Sequence, residues 1–250
     1  MIFGVEERER VRAWILARAR RDARIVAGAV VGSEAGERVD RFSDLDLTFG
    51  VMGGVRLQDV LDDWTRELRD AFRAVHLFDL PFLSSVYRVF LFPGNLQVDV
   101  SLTPEGEFGA LGPDFHLLFG QAVERSRPAK ASAHEIFGLG VHHVVRARFC
   151  IERGKTWQAV HWIDHARDQA LTLACRRHGL ETAHARGFDR LPAALLVKAE
   201  VALVRSLERA ELLRALVAAI DVLLEEAEEV RATADEIGPG LRALAAQGTI

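Results

Sequence analysis

The sequence predicts an α+β chain: an α/β N-terminal half followed by an all-helical C-terminal half. Three observations carry this. Runs with β-strand patterning are confined to the part before about residue 102, while after about residue 130 every segment reads as helix, rich in Ala, Leu, Arg and Glu. Between them lies GEFGALGPD (106–114), a Gly-rich stretch with the composition of a loop or linker. The expected division is a first domain over 1–115 and a helical domain over 116–250, with no internal repeat.

The elements follow in order. Val11, Ile15 and Ala19 recur at helical spacing, with Trp14 beside them, which predicts an amphipathic helix over 5–21. Ile25–Val31 is small and β-branched, as a buried strand would be, and Gly32 and Ser33 end it. DLDLTFGV (44–51) alternates polar and apolar with period two, a strand signal broken by Gly53 and Gly54. Val60, Leu61, Trp64, Leu68 and Phe72 form the apolar stripe of a helix over 55–74. Strands are expected at 75–79, 85–92 and 95–102, the last two joined as a hairpin through Pro93, Gly94 and Asn95. Helices are expected at 133–151, 155–179, 190–206, 208–231 and 232–247, with Gly179 and the pair Gly238, Pro239 as punctuation.

Bulk properties narrow the function classes. The composition is globular: 49% hydrophobic and 27% charged. A net charge of −4 and a pI near 6.2 argue against a protein held on nucleic acid by counterion release, so no nucleic-acid partner is expected. Cys150 and Cys175 form neither a disulfide framework nor a zinc site and read as small buried hydrophobes in a reducing compartment. The charged N-terminus has no signal-peptide core, and no apolar run is long enough to span a bilayer. A cytoplasmic location without a membrane partner is the expectation.

The chemistry rests on Asp44, Asp46 and Asp99. Alternate residues of a strand share a face, so Asp44, Asp46 and Thr48 point one way and Leu45, Leu47 and Phe49 the other. Gln97, Asp99 and Ser101 likewise oppose Leu96, Val98, Val100 and Leu102. Side by side on one core, these strands would bring three carboxylates to one face. Such a cluster raises its own pKa values unless a cation compensates, and Mg²⁺ suits oxygen ligands with room for water and phosphate. Two ions there could activate a hydroxyl and stabilise a departing pyrophosphate. Gly32 would let the backbone approach a phosphate closely, with Ser33 and neighbouring N–H groups as donors.

The stretch GSEAGERVDRFSDLDL (32–47), followed by VDV (98–100), resembles the nucleotidyltransferase superfamily that includes DNA polymerase β. That family pairs Gly-Ser, after about ten residues, with Asp-x-Asp and a further carboxylate on a later strand of a mixed sheet. The resemblance implies that Asp44, Asp46 and Asp99 are catalytic and hold two Mg²⁺, and that Gly32 and Ser33 hold the phosphates of ATP or another NTP. Glu34 stands where small members often carry a basic residue, leaving Arg38, Arg41 or the helical half to meet phosphate charge. IERGKTWQAVHWIDHARDQALTLACRRHGL (151–180) resembles the helical domain of antibiotic nucleotidyltransferases acting on aminoglycosides or lincosamides. By that likeness Lys155 is a candidate triphosphate contact, and Glu152, Asp164 or Asp99 a candidate general base.

Plainer readings stand beside these. Glu152 and Lys155 also read as exposed helix-end charges around Gly154. Asp164 and Asp168 lie i,i+4 with His161 and His165, and read as a solvated face, an acceptor-facing acidic patch or a second metal site. Trp157 and Trp162 read as core of the helical bundle, with stacking on a base or sugar as the alternative, and Glu225, Glu226, Glu228 and Glu229 as a solvated face. The expected activity is Mg²⁺-dependent transfer of a nucleoside monophosphate, AMP foremost, to a small-molecule hydroxyl, an antibiotic being the acceptor the likeness suggests. The alternatives are AMP transfer to a partner protein, as in toxin–antitoxin pairs, and a non-catalytic nucleotide-binding protein. A homodimer, with residues borrowed from a second subunit, stays open.

Overall fold

A computed structural model describes residues 3–32, 35, 40–126 and 129–246. The chain divides into two compact units, 1–128 and 129–250.

Unit one opens with α1 (Val5–Arg21) and β1 (Ile25–Val31), then β2 (Leu45–Val51) and α2 (Leu57–Phe72). β3 (Val75–Phe82), β4 (Ser85–Phe92), β5 (Leu96–Pro104) and β6 (Phe115–Phe119) follow. The six strands form one mixed sheet in the order β3-β4-β5-β2-β1-β6. β2 and β5 are parallel, whereas the other neighbouring pairs are antiparallel. β4 and β5 form the expected hairpin, with Phe92 opposite Leu96.

The alternation of β2 and β5 decides which face is buried. Leu45, Leu47, Phe49, Val98, Val100 and Leu102 pack against Val11, Ile15 and Ala19 of α1 and Val60, Leu61, Trp64 and Leu68 of α2. A buried polar knot ties the two helices together. Asp22, after α1, accepts from Trp64 Nε1 at 3.0 Å, Arg24 Nη2 at 2.8 Å and Arg18 Nη1 at 3.0 Å. Arg24 foremost, with Trp64, holds the Asp22 carboxyl well below the usual carboxylate range.

Two expectations for this unit are corrected. β6 lay in a stretch given no strand, yet it pairs with β1 from Val31↔Phe115 to Gly28↔Phe119. The division expected after residue 115 therefore falls inside a strand, and the compact unit runs on to 128. β3 also extends through Pro81, tolerated because β3 is an edge strand whose outer side has no ladder partner in this sheet.

Unit two comprises α3 (Ala133–Glu152), α4 (Thr156–Arg177), α5 (Ala193–Val201), α6 (Arg209–Glu225) and α7 (Arg231–Ala246). A capping box starts α3: Glu135 N–H donates to Ser132 Oγ, and Ser132 N–H donates to Glu135 Oε2 at 2.7 Å. The core joins Phe137, Val144, Ala147 and Ile163 to Leu212, Leu216, Ile220 and Leu223.

Helix ends here depart from the periodicity. α5 stops at Val201, and Arg214 caps it through the carbonyls of Val201 and Leu203. α6 stops at Glu225, where an acidic run opposes the helix dipole and Arg231 takes the carbonyls of Leu224 and Glu225 at 2.9 and 3.1 Å. α7 runs straight through Gly238 and Pro239, close to the expected span of 232–247. Glu226 is buried, against the expected solvated face, because Arg177 Nη2 donates to it at 2.5 Å. Trp157 is 75% exposed and not core, whereas Trp162 is partly buried against the core. Cys150 and Cys175 are free and buried, as expected. Among the described residues, no helix is long and apolar enough to cross a membrane.

Candidate active site

The site forms where β1 ends and β2 begins. β2 lies beside β5 in parallel register, with Asp46 opposite Asp99 and Thr48 opposite Ser101. Adjacent strands lie about 4.8 Å apart, so the two carboxylates are neighbours on one face. Asp44, immediately before β2, is close enough for its charge to act on Asp99. All three aspartates are half-buried. Burial first, and the Asp44 charge next, push the Asp99 carboxyl up, while Gln97 Nε2, donating to Oδ1 at 3.1 Å, offsets part of this.

The turn that delivers Asp44 is built locally and anchored at a distance. Phe42 N–H donates to Asp40 Oδ1 at 2.7 Å, and Asp40 N–H donates to Ser43 Oγ at 3.0 Å. Arg8, buried on α1, donates Nη1 to the carbonyls of Asp40 at 2.8 Å and Ser43 at 3.3 Å. Sequence reasoning missed Arg8. The available signal was a cation one turn before Val11, on the buried stripe of its helix.

Gly32 has φ +72°, a left-handed conformation suited to glycine. A Cβ there would stand 2.3 Å from Asp46 Oδ2, so backbone and carboxylate are in close contact. Ser33, Glu34 and Arg38 lie outside the described residues. Arg41 is exposed, its guanidinium 4.6 Å from the centroid of the Phe42 ring.

Further along β2 and β5, the same face is covered. Ala27, Ala29, Phe108 and Phe115 form a small second core over it. Thr48, Ser101 and Thr103 are buried, and Ser85 Oγ lies 2.7 Å from Thr103 Oγ1. A pocket of about 130 Å³ remains, lined in part by Tyr87, Asp114 and Arg125. Burial raises the Tyr87 phenol, with Arg125 opposing.

The candidates in unit two have different surroundings. Glu152 Oε1 accepts from Arg148 Nη2 at 2.9 Å and Arg209 Nη2 at 2.6 Å. Lys155 is exposed, one residue before α4. Asp164 and Asp168 both pair with Arg167, at 2.6 and 3.2 Å, which neutralises part of the expected acidic patch. His161 and His165 lie with ring centroids 4.0 Å apart, and His165 lies 5.6 Å from buried His143. A cavity of about 960 Å³ lies elsewhere in this unit, lined by Leu139, Gln169, Thr172, Arg176 and Leu180 among others.

Among the described residues, no three His, Cys, Asp or Glu side chains are already disposed around a cation position. The donor set nevertheless fits a hard divalent ion. Asp44, Asp46 and Asp99 offer oxygen ligands, and burial first, with the Asp44 charge beside it, raises the Asp99 carboxyl, a cost that a cation would offset.

No protein-family model and no curated protein matches the sequence. Among solved structures, the chain is similar to an aminoglycoside 6-adenyltransferase from Bacillus subtilis, with TM-score 0.40 and 13% identity over 93% of this chain and 96% of the other. It is also similar to the Elizabethkingia meningoseptica CdnE cyclic dinucleotide synthase, solved with GTP and Apcpp, with TM-score 0.30 and 12% identity over 87% and 78%. Superpositions this loose establish no shared activity.

Proposed function

We propose that the protein is a nucleotidyltransferase that moves a nucleoside monophosphate, AMP foremost, from an NTP to an acceptor hydroxyl and releases pyrophosphate. One observation carries this reading. Asp46 and Asp99 are paired on the parallel strands β2 and β5, with Asp44 at the strand entrance and the left-handed Gly32 packed against Asp46.

In the reaction, the acceptor oxygen forms a bond to the α-phosphorus and the bond from that phosphorus to the bridging oxygen breaks. Pyrophosphate carries away the electron pair. Asp44, Asp46 and Asp99 are the side chains that would hold Mg²⁺, which would lower the pKa of the hydroxyl and neutralise the triphosphate. Gly32 would let the backbone reach the phosphates, and Ser33, next in the sequence, is the proposed donor. Asp99 accepts the hydroxyl proton, being on the side of Asp46 away from Gly32. Glu152 is the weaker candidate base because two guanidiniums already hold its Oε1. Lys155 remains a proposed triphosphate contact. The two buried free thiols support a reducing, cytoplasmic setting.

The test is binding of ATP with Mg²⁺ by calorimetry, together with pyrophosphate release across acceptors, for the wild type, Asp46→Asn and Asp99→Asn. Binding lost in Asp46→Asn, and release lost in both variants, is expected. Equal nucleotide binding and release in all three proteins would end the reading.

A further inference from the structure

We propose that the acceptor is an uncharged alcohol with an aromatic or alkyl body, laid along an apolar stripe running from Asp99 to the sheet edge. This rests on the nucleotidyl-transfer reading and specifies its second substrate.

The stripe follows from register. Phe78 of β3 lies opposite Val89 of β4, Val89 opposite Asp99 of β5, and Asp99 opposite Asp46 of β2. Directly paired residues share a face, so these four side chains form one row across the sheet. The next row carries Leu80, Tyr87, Ser101 and Thr48, and the row on the other side Val75, Leu91 and Gln97. Phe82 opposite Ser85 extends the same face.

The usual arrangement of an edge strand is inverted here. Apolar side chains should meet the helix-covered face and polar ones should meet water. On β3, Asp79 instead joins Arg88 on the helix side, with hydrogen bonds of 2.7 and 2.6 Å. Val75, Phe78, Leu80 and Phe82, each between 45% and 57% exposed, stand on the carboxylate face. Buried Val89 is the floor between them and Asp99.

Position and charge select the occupant. Gly32, the phosphate turn, ends β1 on one side of Asp46, while Asp99 and the stripe lie on the other. The triphosphate and the acceptor must approach the α-phosphorus from opposite sides for in-line displacement, so the acceptor comes over β5, β4 and β3. With strands about 4.8 Å apart, Phe78 is about 10 Å from Asp99, within reach of a ring or short chain whose hydroxyl sits at Asp99. No side chain of the stripe carries a formal charge. Among the described residues of these rows the carboxylates are Asp46 and Asp99, and Asp114, in the pocket beside Tyr87, shares that pocket with Arg125, so a polycation gains little along the stripe itself.

The experiment compares uncharged aryl and alkyl alcohols and glycosides with polycationic aminoglycosides in ATP-dependent pyrophosphate release. The wild type and a Phe78→Thr/Leu80→Thr variant are used, since threonine keeps strand propensity on an exposed edge. Circular dichroism checks the fold, gel filtration the size, and calorimetry the affinity for ATP with Mg²⁺. Release with the uncharged class is expected, with the acceptor KM raised about tenfold or more in the variant and ATP affinity unchanged. Release with aminoglycosides alone, an unchanged KM, or no release despite ATP binding each overturns the acceptor and leaves nucleotide binding standing. A wild-type dimer that the variant converts to monomer makes the stripe a self-interface, and also overturns it. Loss of ATP binding in the wild type removes both readings.

Discussion

Gly32→Ala separates a backbone effect from a site effect. At φ +72° an L-residue costs about 1–2 kcal/mol, and the added methyl would stand 2.3 Å from Asp46 Oδ2. Carbon and oxygen do not approach that closely, so the carboxylate must retreat by about 1 Å, a displacement that can cost about 100-fold in rate at a catalytic group. Gly54→Ala is the internal control. Its φ is +81°, and a methyl there meets nothing within 4 Å. Both variants should lower Tm by about 4–7 °C in a unit of this size, Gly32→Ala by at least as much as Gly54→Ala. Only Gly32→Ala should lose about 100-fold in acceptor-dependent pyrophosphate release. Full activity in Gly32→Ala, or equal losses in both variants, would refute the argument that this turn fixes Asp46.

Three further outcomes are expected. Arg88→Met removes a guanidinium that is 2% exposed and holds Asp79, Asp62 and Thr65, and should cost about 2–3 kcal/mol in urea unfolding at pH 7. Arg88 depresses the folded-state Asp79 pKa, so this stability is present above the ordinary value of 3.8 and is lost as pH falls through the lower folded value. The gap between wild type and Arg88→Met should therefore narrow on acidification below about pH 4, and a gap independent of pH would contradict it. Arg8→Ala should lower turnover about tenfold or more while α1 stays helical by circular dichroism, because the 40–43 turn loses its anchor. Pro239→Ala should raise Tm, since it restores the N–H that Asp235 O lacks inside α7, and an unchanged melt would show that the helix has already absorbed the proline.

Much of the site is legible in the sequence because strand periodicity is a local signal. The alternation in 44–51 and 95–102 separates Asp44, Asp46 and Asp99 from the core residues, and the structure pairs those strands in that register. β6 escapes notice because FHLLF is short and does not alternate. The break between α6 and α7 is hidden because the acidic run keeps helical composition, and its cause is Arg231 reaching back to the helix end. The ion pairs of Glu152 escape for another reason. Arg209 lies 57 residues away, and no local pattern encodes that meeting. The residue type of Trp157 favours the core, but its position at the start of α4 turns it outward.

β2 and β5 are the parallel neighbours of an otherwise antiparallel sheet among the described strands. Parallel strands cannot be joined by a tight turn, and α2, β3 and β4 intervene between Asp46 and Asp99. The two carboxylates therefore meet only when this long loop closes, a slow, non-local step. A nascent chain that has made β2 has half a site, and one that has made the β4–β5 hairpin alone has the other half. Nucleotide and metal should then recognise only the completed sheet, and each bound ligand would shift the balance between open and closed chains toward the closed one. With the proposed function, the separation of the aspartates along the chain would make ligand affinity a readout of folding.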